Sequence, residues 1–123
     1  MKPNNKMLIA CSIIITFLFS SCFRDNTNIS IHDERNSYQF YASYNKSKTE
    51  NVLHYLNENL NNDNGYFSDL NYIDVTTTLH DDTKLYIKAT PGRIKIKLDK
   101  RENTEASYKR VKHICNELKD VLK

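Results

Sequence analysis

The sequence predicts an α+β domain: a two-layer sandwich in the order β-α-β-β-β-α, with a mostly antiparallel sheet and two helices on one of its faces. Three observations carry this. Four segments between Ser37 and Leu98 alternate apolar and polar residues at period 2, two segments repeat apolar residues at three and four, and short turn signals separate neighbouring strands. One apolar sheet face and two amphipathic helices bury their surfaces against each other, which defines two layers. Residues 37–123 form a single domain, since the chain has no internal repeat and only two glycines.

The first strand begins at Ser37, where Tyr38, Phe40, Ala42 and Tyr44 alternate with Gln39, Tyr41 and Ser43. Ser47-Lys-Thr-Glu50 has the form of a capping box opening a helix. Val52, Leu53, Leu56 and Leu60 then mark one apolar face, and Asn61-Asn-Asp-Asn-Gly65 ends it. After a loop with Tyr66, Phe67 and Leu70, three strands follow. Their inward sets are Ile73, Val75, Thr77 and Leu79, then Leu85, Ile87 and Ala89, then Ile94, Ile96 and Leu98. Pro91-Gly92 as central turn residues sets Ala89 against Ile94 and Ile87 against Ile96. A three-residue loop at Asp81-Asp82-Thr83 is expected to set Leu79 against Leu85. The last helix opens near Asn103 or Thr104 and carries its apolar face on Val111, Ile114, Cys115, Leu118, Val121 and Leu122.

Ahead of the domain, residues 23–36 are dense in Asn, Asp, Ser and Thr with no sustained apolar period. Such a stretch buries too little surface to offset its ordering entropy, so residues 22–36 are expected to be a flexible tether. Ahead of that lies the most distinctive stretch of the chain. Lys2 and Lys6 precede an uncharged apolar run from Met7 to Phe19, closed by Ser20-Ser21-Cys22. This is the layout of a secretory signal, and the run is shorter than the ~20 residues that cross a bilayer.

Leu18-Phe19-Ser20-Ser21-Cys22 resembles the lipobox of bacterial lipoproteins, a likeness confined to residues 1–22. The resemblance implies that residues 1–21 are removed as a signal peptide. Ser20 and Ser21 match the small positions before cleavage and Cys22 matches the lipidated one, while Phe19 departs from the usual Leu. Leu8-Ile9-Ala10-Cys11 fits the box in residue type, but leaves only Met7 to Ala10 as its apolar segment. The implied partner is therefore a membrane, reached through a diacylglycerol on Cys22. Phe23 stands where Asp signals inner-membrane retention in enteric-type lipoproteins, which implies the outer membrane if the host has one and the plasma membrane otherwise.

Processing there removes Lys2, Lys6 and Cys11, so the formal charge falls from +3 to +1 and overall basicity points to no partner. Cys115 is left without a protein partner, so no internal disulfide forms. As a lone thiol within an apolar stripe it reads as a small core residue.

Chemistry-bearing patterns are sparse. There is no Gly-rich phosphate loop, His-Glu-x-x-His, Gly-x-Ser-x-Gly or paired cysteine, so neither a catalytic residue nor a cofactor is expected. His32-Asp33-Glu34 reads as solvated side chains rather than a metal site, and His80 with Asp81 and Asp82 as a polar turn.

Charge segregation is the one feature above background. From Arg24 to Thr83 ten acids accompany four bases; from Lys84 to Lys112 ten bases accompany three acids. The predicted register sets Lys88 opposite Lys95 on the outer sheet face, where like charges repel. Lys84, Tyr86, Lys88, Arg93, Lys95 and Lys97 therefore form the candidate binding surface, facing an acidic protein or an anionic envelope polymer.

Two function classes fit these residues: a non-catalytic, lipid-anchored binding or adaptor module of the bacterial envelope, and an immunity or exclusion lipoprotein that blocks a toxin or phage. The order helix, three strands, helix, with Lys109-Arg110-x-Lys112 at its end, is also similar to that of double-stranded RNA-binding domains. The export signal separates the chain from RNA, so no nucleic-acid partner is expected.

Overall fold

The computed structural model describes residues 26–60 and 72–123. Within them lie strands β1 (Asn28–Asp33) and β2 (Ser37–Ser43), helix α1 (Thr49–Asn59), strands β3 (Ile73–Thr78), β4 (Lys84–Thr90) and β5 (Arg93–Asp99), and helix α2 (Glu105–Val121). The five strands form one antiparallel sheet in the order β1-β2-β5-β4-β3. The α+β class holds, with one strand more than the alternation pattern predicts.

That strand corrects the reading of residues 22–36 as a flexible tether. Asn28 to Asp33 pairs along its whole length with β2, from Asn28 opposite Ser43 to Asp33 opposite Tyr38. All six of its side chains are exposed, which is why composition did not reveal it. Its stability comes from the backbone ladder and from Asp33. That carboxylate accepts from Lys100 Nζ at 2.7 Å and from the Tyr108 hydroxyl, and Lys112 Nζ lies 3.7 Å away.

The core lies between the sheet and the helices. Tyr38, Phe40 and Ala42 of β2, Leu85, Ile87 and Ala89 of β4, and Ile94, Ile96 and Leu98 of β5 are buried; from the helices so are Val52, Leu53, Leu56, Val111, Ile114, Cys115 and Leu118. The β4–β5 register follows the turn argument, with Ala89 opposite Ile94, Ile87 opposite Ile96 and Lys88 opposite Lys95. Gly92 takes φ +82° in this turn, and an added Cβ would lie 2.9 Å from the Tyr44 carbonyl oxygen.

The β3–β4 register differs from expectation by two residues. Thr77, not Leu79, lies opposite Leu85, and Leu79 donates its N–H to the Thr83 carbonyl at 2.8 Å. The loop is His80-Asp81-Asp82, closed by Asp82 in the left-handed conformation at φ 64°. Thr83 belongs to the core: it is fully buried, and its hydroxyl bonds that of Ser107 at 2.8 Å. A shift of two residues keeps every side chain on its face, so alternation does not distinguish the two registers.

The first helix also starts differently. A 3-10 turn at Lys46–Lys48 precedes α1, and Asn45 caps that turn by accepting from Ser47 N–H at 3.0 Å, in place of the expected Ser47 to Glu50 box. Thr49 is buried, and its hydroxyl accepts from Gly92 N–H at 3.0 Å. In α2, Thr104 caps as expected, accepting from Ser107 N–H at 3.1 Å. The expected stop at residues 61–65 and the loop with Tyr66, Phe67 and Leu70 lie outside the described residues, as do the signal region and Cys22. Among the described residues no helix is long and apolar enough to cross a membrane.

Candidate functional site: the outer sheet face

Because β-strand side chains alternate, the residues between the core positions all project from the sheet face opposite the helices. Cross-strand registers arrange them in rows. Asn28, Ser43, Arg93 and Thr90 form one row, and Ser30, Tyr41, Lys95, Lys88 and Asp74 the next. The third runs His32, Gln39, Lys97, Tyr86 and Thr76.

A shallow trough of about 410 Å³ lies over the first two rows. Its aromatic lining is Tyr41, Tyr72 and Tyr86, and its cations are Lys88, Arg93 and Lys95, with Thr90 between them. Of the six residues the sequence nominates, the structure brings Tyr86, Lys88, Arg93 and Lys95 together here. Lys97 lies on the same face outside the lining, and Lys84 at the far end of β4, where its backbone N–H donates to the Asn103 side chain at 2.8 Å. Sequence reasoning missed Tyr41 and Tyr72. The signal for Tyr41 was its place in the alternation of β2, out of phase with Tyr38, Phe40 and Ala42, and it is 40% exposed.

Asp74 organises the aromatic side. It accepts from the Tyr86 hydroxyl at 2.8 Å and from the Tyr72 hydroxyl at 3.3 Å. The bond to Asp74 raises the Tyr86 hydroxyl above the ordinary phenol range, so it stays protonated. The two hydroxyls orient this carboxylate without neutralising it, so the trough presents three cations and aromatic rings with one negative charge at its edge, opposite Lys88.

The cations of the trough differ from those on the helix side. There Lys100 and Lys112 meet Asp33 and Arg110 meets Asp81 at 2.6 Å, whereas Arg101 meets Asp99 at 3.1 Å at the outward end of β5. Among the described residues, Lys88, Arg93 and Lys95 form no ion pair, although Lys88 and Lys95 stand directly opposite each other. The trough thus holds three cations without an ion pair, with one carboxylate, Asp74, opposite Lys88, a net positive balance that attracts anions.

The remaining polar clusters have structural explanations. Lys100 lies over the Tyr108 ring at 4.3 Å, Tyr108 packs edge-on against Tyr38 at 5.8 Å, and Asp33 joins all three elements. Lys100, Asp33 and the Tyr108 hydroxyl satisfy one another, leaving little to offer a ligand. His32 projects from the outer face while Asp33 projects toward α2, so the two neighbours point apart. Among the described residues no three of His, Cys, Asp and Glu are grouped to hold a metal ion. Cys115 is fully buried, and burial pushes its thiol up to about 12, which keeps it protonated and unreactive at neutral pH.

No family model, curated protein or solved structure matches this chain.

Proposed function

We propose that this protein is a lipid-anchored, non-catalytic binding module of the bacterial envelope, held by Cys22 and binding an anionic ligand on its outer sheet face. The observation that carries the binding half is the grouping of Lys88, Arg93 and Lys95, which form no ion pair among the described residues, beside three tyrosines. Cations attract anionic groups, and tyrosine rings offer contact area at low entropic cost. The anchoring half rests on the Leu18 to Cys22 pattern.

The test is ligand capture by the intact lipidated protein in membranes of its own host, comparing wild type with Lys88→Glu/Lys95→Glu. Binding that weakens with salt and is lost in the double variant supports the reading. Equal binding by both proteins at every salt concentration contradicts it, because exposed charges attract over only about 10 Å at 0.1 M salt and reversal inverts that attraction.

A further inference from the structure

We infer that the outer sheet face lies on the membrane that holds the anchor, and that the trough takes the phosphate groups of anionic lipids. This rests on the lipid-anchor reading and narrows the ligand of the same face.

The argument begins with β1. A tether running to residue 36 would leave the domain free to turn in any direction. With β1 paired along β2, only residues 23–27 separate Cys22 from the sheet. Six residue steps reach at most about 20 Å even when fully extended. The domain is therefore confined to a shell beside the bilayer.

Position within the sheet adds to this. Asn28, where the chain enters the sheet, lies in the same cross-strand row as Ser43, Arg93 and Thr90. Three strand spacings of ~4.8 Å place Thr90 about 14 Å from Asn28. The trough thus lies at the end of the sheet nearest the anchor.

Charge then selects the face. On the helix side Lys100, Lys112 and Arg110 are already engaged by Asp33 and Asp81, so these three cations have little to gain from anionic headgroups. Among the described residues the outer-side Lys88, Arg93 and Lys95 form no ion pair, and they outnumber the one carboxylate beside them, Asp74. Tyr41 and Tyr72, 40% and 56% exposed, have an apolar body and a polar tip, the character that suits the bilayer interface. Basic side chains close to an anionic membrane bind it additively and lose that attraction within a Debye length. A short tether keeps them within that range.

The experiment uses the full lipidated chain in vesicles containing a headgroup-quenching lipid, with a fluorophore on Thr76→Cys or on Asn116→Cys. Thr76 is outward on the edge strand β3, four strands from β1, so anchor proximity alone does not quench it; Asn116 is exposed on α2. In vesicles rich in anionic phospholipid, the Thr76 label is expected to be strongly quenched and the Asn116 label not. High salt or Lys88→Glu/Lys95→Glu should remove most of the difference. Equal quenching of the two labels in anionic vesicles overturns the inference while leaving the anchor intact. So does a Thr76 label that is shielded only when host envelope proteins are added, which would identify an acidic protein as the ligand. An intact mass showing no lipid on Cys22 overturns the anchor reading and this inference together.

Discussion

Three residues show how local chemistry sets the limits of this fold. Cys115 lies in the core beside Tyr38, whose hydroxyl is enclosed without a conventional hydrogen-bond partner and whose ionisation is raised chiefly by burial. Native protein should resist thiol alkylation and react once denatured; rapid labelling of the folded form would show that the core is open there. Gly92 is the opposite case, a position fixed by backbone geometry. Alanine at φ +82° and 2.9 Å from the Tyr44 oxygen is expected to cost about 2 kcal/mol or more, read as a lowered denaturant midpoint. A midpoint equal to that of wild type would mean that the turn takes another form.

Asp33 is the residue that links pH to stability. Its carboxyl is held below the usual carboxylate range, first by the Lys100 hydrogen bond and then by Tyr108. A lowered folded-state value means that the stabilisation is complete above the unfolded carboxylate range and is lost as pH falls through the folded value. Asp33→Asn should therefore be less stable than wild type near neutrality, and the gap should close in acid once pH falls below the depressed folded value. Denaturant midpoints at the two pH values measure it, and a gap independent of pH would remove Asp33 as its source.

At the scale of elements, most of the fold was legible in the sequence. Long alternations and long helical stripes give β2, β4, β5 and α2 directly, because each buries one continuous face. β1 escaped because Ile29 and Ile31 are its only large apolar residues and both remain more than one-third exposed. A strand held by its backbone ladder and one charged cluster leaves almost no hydrophobic signature. The β3–β4 register escaped for a different reason: alternation fixes a register only to within two residues. Thr83 and Ser107 decided it through a buried hydroxyl pair that no pattern of apolar residues encodes. The trough was half legible. Lys88 opposite Lys95 followed from the Pro91-Gly92 turn, whereas Tyr72 joined through Asp74, a long-range arrangement of the folded sheet.

For the whole molecule, the segregated charges of the sequence become two faces of unlike character. On the helix side Asp33 and Asp81 engage Lys100, Lys112 and Arg110, while on the outer side Lys88, Arg93 and Lys95 form no ion pair among the described residues. Lys88→Glu/Lys95→Glu should still fold, since both side chains project away from the core; one like pair replaces another, and Glu at 88 also faces Asp74, so a loss of up to about 1 kcal/mol is expected. A large loss of stability in this variant would mean that the two lysines support the fold, and the case for a binding face would fall with it.

Anchor and binding face make a single proposal only if Cys22 carries lipid, because without it the short link to β1 restrains nothing. Fatty-acid labelling in a bacterial host, on wild type, Cys22→Ser and Cys11→Ser, tests this most directly. One acyl chain gives marginal membrane binding and two or more hold firmly, so the diacylated wild type should remain with membranes. Label is expected on wild type and on Cys11→Ser and absent from Cys22→Ser, which should also be left unprocessed. Label that persists in Cys22→Ser would contradict the account.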